Sequence, residues 1–138
     1  MLSREEMDRL IDAHFKYEQS DDVAGVLETL TPDVEHDVVG WPPGPSHGPD
    51  AARGFYERLF ADLADTRITP VRRLYGDGFA VDESLAESTA VGAPFGLPGR
   101  NRRISFRLLH VFEFDGGRIR RENVWLDLAA IQQQLGEM

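Results

Sequence analysis

The sequence has 138 residues and no cysteine, with 41% hydrophobic and 28% charged residues. That excludes a disordered or low-complexity chain, disulfides, thiolate nucleophiles and cysteine-ligated metals. A net charge of −9, from 24 acids against 15 bases, repels phosphate backbones and argues against a nucleic-acid partner. No apolar run approaches the ~18 residues of a membrane span, and MLSREEMDRL is no secretory signal. The expectation is one cytoplasmic domain over residues 1–138, with no membrane contact.

Ser3-Arg4-Glu5-Glu6 has the spacing of a capping box. Met7, Leu10, Ile11, His14, Phe15 and Glu18 follow at helical intervals, which predicts a helix from about Arg4 to Gln19. A second helix, capped by Ser20 or Asp21, buries Val23, Val26, Leu27 and Leu30 and stops at Thr31-Pro32. Val34 to Val39 reads as a short strand. Four prolines in GWPPGPSHGP (40–49) make that stretch a loop, and helix resumes at Pro49 with Ala52, Phe55, Tyr56, Leu59, Phe60 and Leu63 on one face.

From there the period becomes two. Strands are predicted over Arg67–Tyr75, Phe79–Val91, Ile104–Phe114 and Arg118–Leu126, with turns at Gly76-Asp77-Gly78 and Asp115-Gly116-Gly117 and a longer one over Gly92–Arg103. A last helix runs from Leu128 to Leu135. Hairpin-linked strands are antiparallel. The order predicts an α+β fold in which a strongly curved, mixed or antiparallel sheet wraps around the N-terminal helices as a cone and encloses a pocket. Arg100, Arg102 and Arg103, with Arg118, Arg120 and Arg121, read as solvated strand ends.

Two segments, VEHDVVG running into HGPDAARGFYERL (34–59) and HVFEFDGGRIRRENVWLDLAAIQQQLG (110–136), resemble the nuclear transport factor 2-like superfamily, whose fold is also described as a cystatin-like α+β barrel. The second segment is most similar to its SnoaL-like group, the polyketide cyclases related to ketosteroid isomerases. The resemblance covers nearly the whole chain. It implies a small-molecule enzyme, no cofactor, and a homodimer through the outer sheet face.

Candidate site residues follow from strand parity and from the resemblance together. In Ile104–Phe114, His110 is the polar residue on a face otherwise made of Ile104, Phe106, Leu108, Phe112 and Phe114. The resemblance places it where isomerases hold an oxyanion donor. Overlay of VEHDVVG places Asp37 on the isomerases' general base. On that strand one of Asp37 and His36 points inward, unless a bulge intervenes. Asp127 matches an acid/base position of the cyclases, and also stands where it caps the last helix. The isomerases' first-helix tyrosine falls on Ala13, leaving His14 and Tyr17 as the helix-borne polar candidates. Ile119, Arg121, Asn123, Trp125 and Asp127 share one face of their strand by parity, and Glu83 and Glu87 share one with Phe79, Val81 and Leu85. That strand offers no arginine for an epoxide-hydrolase set of acids. The four histidines (His14, His36, His47, His110) show no metal-binding spacing, so no metal is expected.

The expected activity is proton abstraction beside the carbonyl of a hydrophobic, polyketide- or steroid-like compound, leading to cyclisation or isomerisation. Asp37 or Asp127 would be the base and His110 the donor, with His36 as a further catalytic candidate. His14, Tyr17, Trp41, Phe95, Phe106, Leu108, Phe112, Asn123 and Trp125 would line the substrate's cavity. Two alternatives are a non-catalytic ligand-binding or dimerisation module of the same fold, and a dehydratase with a histidine base. For the latter, the discriminating question is whether His36 and His110 share the cavity.

Overall fold

The structure, a computed structural model, describes residues 2–39 and 44–136; the expectation for Trp41 lies outside them. Helix α1 (Arg4–Gln19) starts from the capping box, with the Ser3 hydroxyl accepting from the Glu6 amide at 3.1 Å and Glu6 Oε1 from the Ser3 amide at 3.0 Å. It buries Met7, Ile11, His14, Phe15 and Glu18. Helix α2 (Val23–Glu28) is capped by Asp22, one residue later than expected. The Tyr17 ring lies so close over Gly25 that a Cβ there would sit 2.4 Å from Tyr17 Cδ1.

Strand β1 (Leu30–Val39) begins four residues before the expected start. Pro32 is tolerated because the pairing of β1 with its neighbour shifts register between Leu30 and Glu35. The short β2 (Ser46–His47), inside the predicted loop, pairs antiparallel with β1. Helix α3 (Pro49–Asp62) follows Gly48 at φ 87°. Then come β3 (Leu63–Gly76), β4 (Phe79–Ala90), β5 (Arg102–Asp115), β6 (Arg118–Leu126) and helix α4 (Leu128–Gly136).

The strands form one six-stranded sheet in the order β2-β1-β6-β5-β4-β3. The β1–β6 pairing is parallel and the others are antiparallel. The sheet curls around α1, α2 and α3 without closing. Its inner face and the helices enclose two apolar clusters: one includes Met7, Ile11, Phe15, Val34, Tyr56 and Phe112, the other Val38, Leu63, Ile104, Phe106, Ile131 and Leu135.

Two strands depart from the parity read in the sequence. On β4 the buried residues are Ala80, Asp82, Ser84, Ala86, Ser88 and Ala90, so Glu83 and Glu87 face outward, in register with Arg72 and Arg67 of β3. The inner face is the less hydrophobic one because small side chains make room for the helices. On β6 the register with β5 shifts between Glu113 and Phe114, whose partners are Arg121 and Ile119, so Arg120 is an extra residue. Ile119 is buried, but beyond the bulge the inward face is Glu122 and Val124 rather than Arg121 and Trp125.

Arg73 ties α1 to the sheet. Its Nε donates to Asp82 at 2.7 Å, Nη1 to Asp8 at 2.9 Å and Nη2 to Asp12 at 3.0 Å. Desolvation works against its charge, but the three carboxylates more than restore it and raise the pKa.

Candidate active site

A cavity of about 60 Å³ lies between α1, α3 and the inner face of the sheet. At roughly 10–15 Å³ per water-sized group, it has room for about four to six such groups. Its wall is mostly apolar, with Phe55, Phe60, Phe95, Phe106 and Leu108 prominent, and carries polar groups from Glu18, His36, Tyr56, His110 and Glu122.

Glu122 is the hub of these groups. Its side chain is 1% exposed. Tyr56 Oη donates to its Oε1 at 2.8 Å, and His14 Nε2 lies 3.1 Å from Oε2. His110 Nε2 stands 3.5 Å from Oε2 and His36 Nε2 3.8 Å from Oε1. A carboxylate offers about four lone-pair sites, and three imidazoles and a phenol are directed at them. Burial alone would push the Glu122 carboxyl up. The attraction of His14, hydrogen bonds from His110 and His14, and the nearby His36 hold it well below the usual range, so it is a carboxylate.

His14 is the matching cation. The Thr29 hydroxyl spends its hydrogen on Val26 O at 2.6 Å, so it accepts from His14 Nδ1 at 2.9 Å. With Nε2 also facing a carboxylate, both ring nitrogens carry hydrogen. Burial opposes that charge, but Glu122 and Glu18 outweigh it and raise the pKa to about 9. His36 behaves oppositely. Burial, the largest influence, lowers its pKa; the pull of Glu122 comes next and opposes it, and the smaller repulsions of His14 and His110 act with burial. His36 is therefore a neutral imidazole at pH 7, and its Nε2 has no hydrogen-bond partner among the described residues. His110 Nδ1 and Glu18 Oε2 are likewise buried without one. Burial pushes the Glu18 carboxyl up to about 7, against the pull of His14.

The structure thus brings His36 and His110 to one cavity, with Phe95, Phe106 and Leu108 beside them. It does not bring Asp37 or Asp127 there. Asp37 is on the opposite face of β1 from buried His36, and its Oδ2 accepts from Asn123 Nδ2 at 3.1 Å. Asp127 caps α4, accepting from the Ala130 amide at 3.1 Å. Trp125 is 43% exposed, turned out by the β6 bulge. Asn123 is buried but engaged with Asp37, and Phe112 lies behind His110, stacked on its ring at 5.0 Å between centroids. His14 stands behind Glu122, and Tyr17 covers Gly25; neither lines the cavity.

Glu122, Glu18 and Tyr56 join the site without being among the candidates that the sequence offers. Glu18 left a signal, an acid four residues after His14 on α1's apolar stripe. Glu122 left none, because the bulge hides its parity.

A family model described as SnoaL-like polyketide cyclase matches residues 5–135. The chain belongs to the SnoaL-like family. Solved structures agree on the fold. TsrD from Streptomyces laurentii is 21% identical, with a TM-score of 0.86 and 100% of each chain covered. A putative SnoaL-like polyketide cyclase from Jannaschia sp. CCS1 is 14% identical, with a TM-score of 0.87 over 100% of this chain and 98% of that one. An M. tuberculosis protein described as an LEH-like epoxide hydrolase is 19% identical, with a TM-score of 0.74 over 94% and 89%. No curated protein matches this SnoaL-like chain.

Proposed function

We propose that this SnoaL-like protein is an acid–base enzyme that removes a proton from a carbon beside the carbonyl of a small hydrophobic compound, with His36 as the base. The observation that carries this reading is a buried His36 that shares an apolar cavity with His110, their Nε2 atoms 3.8 and 3.5 Å from the carboxylate of Glu122. Aspartate bases are set aside because Asp37 and Asp127 are engaged away from the cavity.

The chemistry follows from the geometry. The Glu122 carboxylate favours the tautomer of His36 with hydrogen on Nε2, leaving the Nδ1 lone pair to take the substrate proton. The imidazolium that forms then stands beside a carboxylate fixed in advance by His14 and Tyr56, so its charge is stabilised without solvent reorganisation. His110 Nδ1 has no partner among the described residues; with Nε2–H turned to Glu122 it is an acceptor, and it takes a hydrogen bond from a hydroxyl of the substrate. Isomerisation, ring closure and loss of a β-hydroxyl share this first step. A histidine base suits the dehydratase outcome as well as the isomerase one. The Arg73–Asp82 pair is bound to Asp8 and Asp12 of α1 and is not part of the cavity wall, which disfavours epoxide opening by an acid–arginine–acid set.

The test is α-proton exchange in deuterated water, followed by NMR across a panel of small ketones and β-hydroxy ketones. Exchange that falls by about 10²–10⁴-fold in His36→Gln supports the assignment. Exchange that survives in His36→Gln but is lost in Asp37→Asn overturns it.

A further inference from the structure

The apolar cavity contains a buried acid that the proton-transfer chemistry does not use. Glu18 projects from the last turn of α1 to the cavity wall, is 9% exposed, and its Oε2 has no hydrogen-bond partner among the described residues. The nearest cation, His14 Nε2, is 3.8 Å away and already bonded to Glu122 at 3.1 Å. One imidazolium thus stands between two carboxyl groups. When both are ionised, the cluster of His14, Glu18 and Glu122 carries one uncompensated negative charge beside the cavity.

Rings of Phe55, Phe60, Phe95 and Phe106 form much of the remaining wall. Aromatic faces attract cations, most strongly where water is excluded, and the chain's charge of −9 raises the local concentration of cations around it. An enclosed carboxylate without a partner is costly to maintain. A ligand that brings a positive charge and fits an apolar space removes that cost.

We infer that the cavity binds a small organic cation, a protonated or quaternary amine, with Glu18 as its counter-ion and the phenylalanine rings as its cage. This rests on the proposed reading only in taking the cavity as the ligand site; it makes the substrate an amino-carbonyl compound. A cationic nitrogen beside the reacting carbon also makes the C–H more acidic, which suits a weakly basic imidazole.

The experiment is calorimetric titration of the intact protein with tetramethylammonium chloride, with sodium chloride at matched ionic strength and tert-butanol as the uncharged ligand of like size. Saturable binding of tetramethylammonium, weakened at least about tenfold in Glu18→Gln and not reproduced by tert-butanol or sodium, is expected. Circular dichroism and thermal melting confirm that Glu18→Gln is folded. Should that variant not fold, a pH series on the wild type replaces it. Affinity should rise as the pH passes about 7, where Glu18 ionises, with His14, Glu122 and His110 as the other charged or titratable groups acting on it. No binding by the wild type, equal binding of tert-butanol, or undiminished binding by folded Glu18→Gln overturns the inference. A protein that exchanges protons of neutral ketones through His36 yet ignores tetramethylammonium refutes the cation site alone. One that binds tetramethylammonium while His36→Gln keeps full exchange refutes the base assignment alone.

Discussion

His14 Nε2 and Glu122 Oε2 lie 3.1 Å apart with both side chains enclosed, at 0% and 1% exposure. The pair joins α1 to β6 across the interior. Its geometry is good, yet the charges were taken out of water, so removing one partner costs more than the pair is worth against an apolar substitute. Glu122→Gln leaves His14 a buried cation with only Glu18 near it. The expected loss is about 3–5 kcal/mol, read from urea denaturation. A variant as stable as the wild type would mean that the pair is not ionised.

The same pair predicts the alkaline side of the stability profile. His14 has its folded pKa raised to about 9 from 6.5. Its contribution is therefore complete below about pH 6.5 and lost as the pH rises through about 9. Over that window the loss is on the order of 3 kcal/mol. Glu18, raised from 4.5 to about 7, has the same sign over a lower window. His36, with its pKa lowered, acts the other way, its contribution being lost as the pH falls through the depressed value. Denaturation curves of wild type and His14→Gln should converge between about pH 6.5 and 9; a constant difference would contradict the assignment.

Arg73 predicts a second fragile point among residues that do not line the cavity. Asp82 is fully buried, with Arg73 Nε 2.7 Å away. Arg73→Met keeps the apolar stem but strands that carboxylate, so the expected destabilisation is again about 3–5 kcal/mol. The double variant Arg73→Met/Asp82→Asn should recover part of it, measured as a double-mutant cycle.

On the outer face of the sheet, Leu109 and Trp125 stand opposite each other in the β5–β6 register, 38% and 43% exposed. Resemblance to the family implies a homodimer through this face. Sedimentation should then find a dimer at micromolar concentration, and Trp125→Glu should shift it to monomer. A monomeric wild type would remove this expectation.

Much of the fold was legible because its signals are local. The capping box at Ser3, the Gly-rich turns and the alternation of β5 each act within a few residues. His110 was legible for the same reason, as a polar residue on an unbroken apolar face. Asp37 and His36 formed an undecided pair because parity cannot tell which face of a short strand turns inward; packing under α3 turns His36 in, against Phe55 and Tyr56. The acids of β4 misled because its inner face is built of Ala and Ser. Glu122 was hidden by a non-local cause, since the extra residue in β6 is visible only in its pairing with β5.

That extra residue has a consequence for comparing relatives. A protein with one residue fewer between the glycine turn and the tryptophan would present Trp125's counterpart to its interior and expel the acid that anchors three histidines here. Relatives with nearly superimposable backbones can thus run different chemistry through a single insertion, and a site transferred between them by alignment is valid only where the strand pairing agrees.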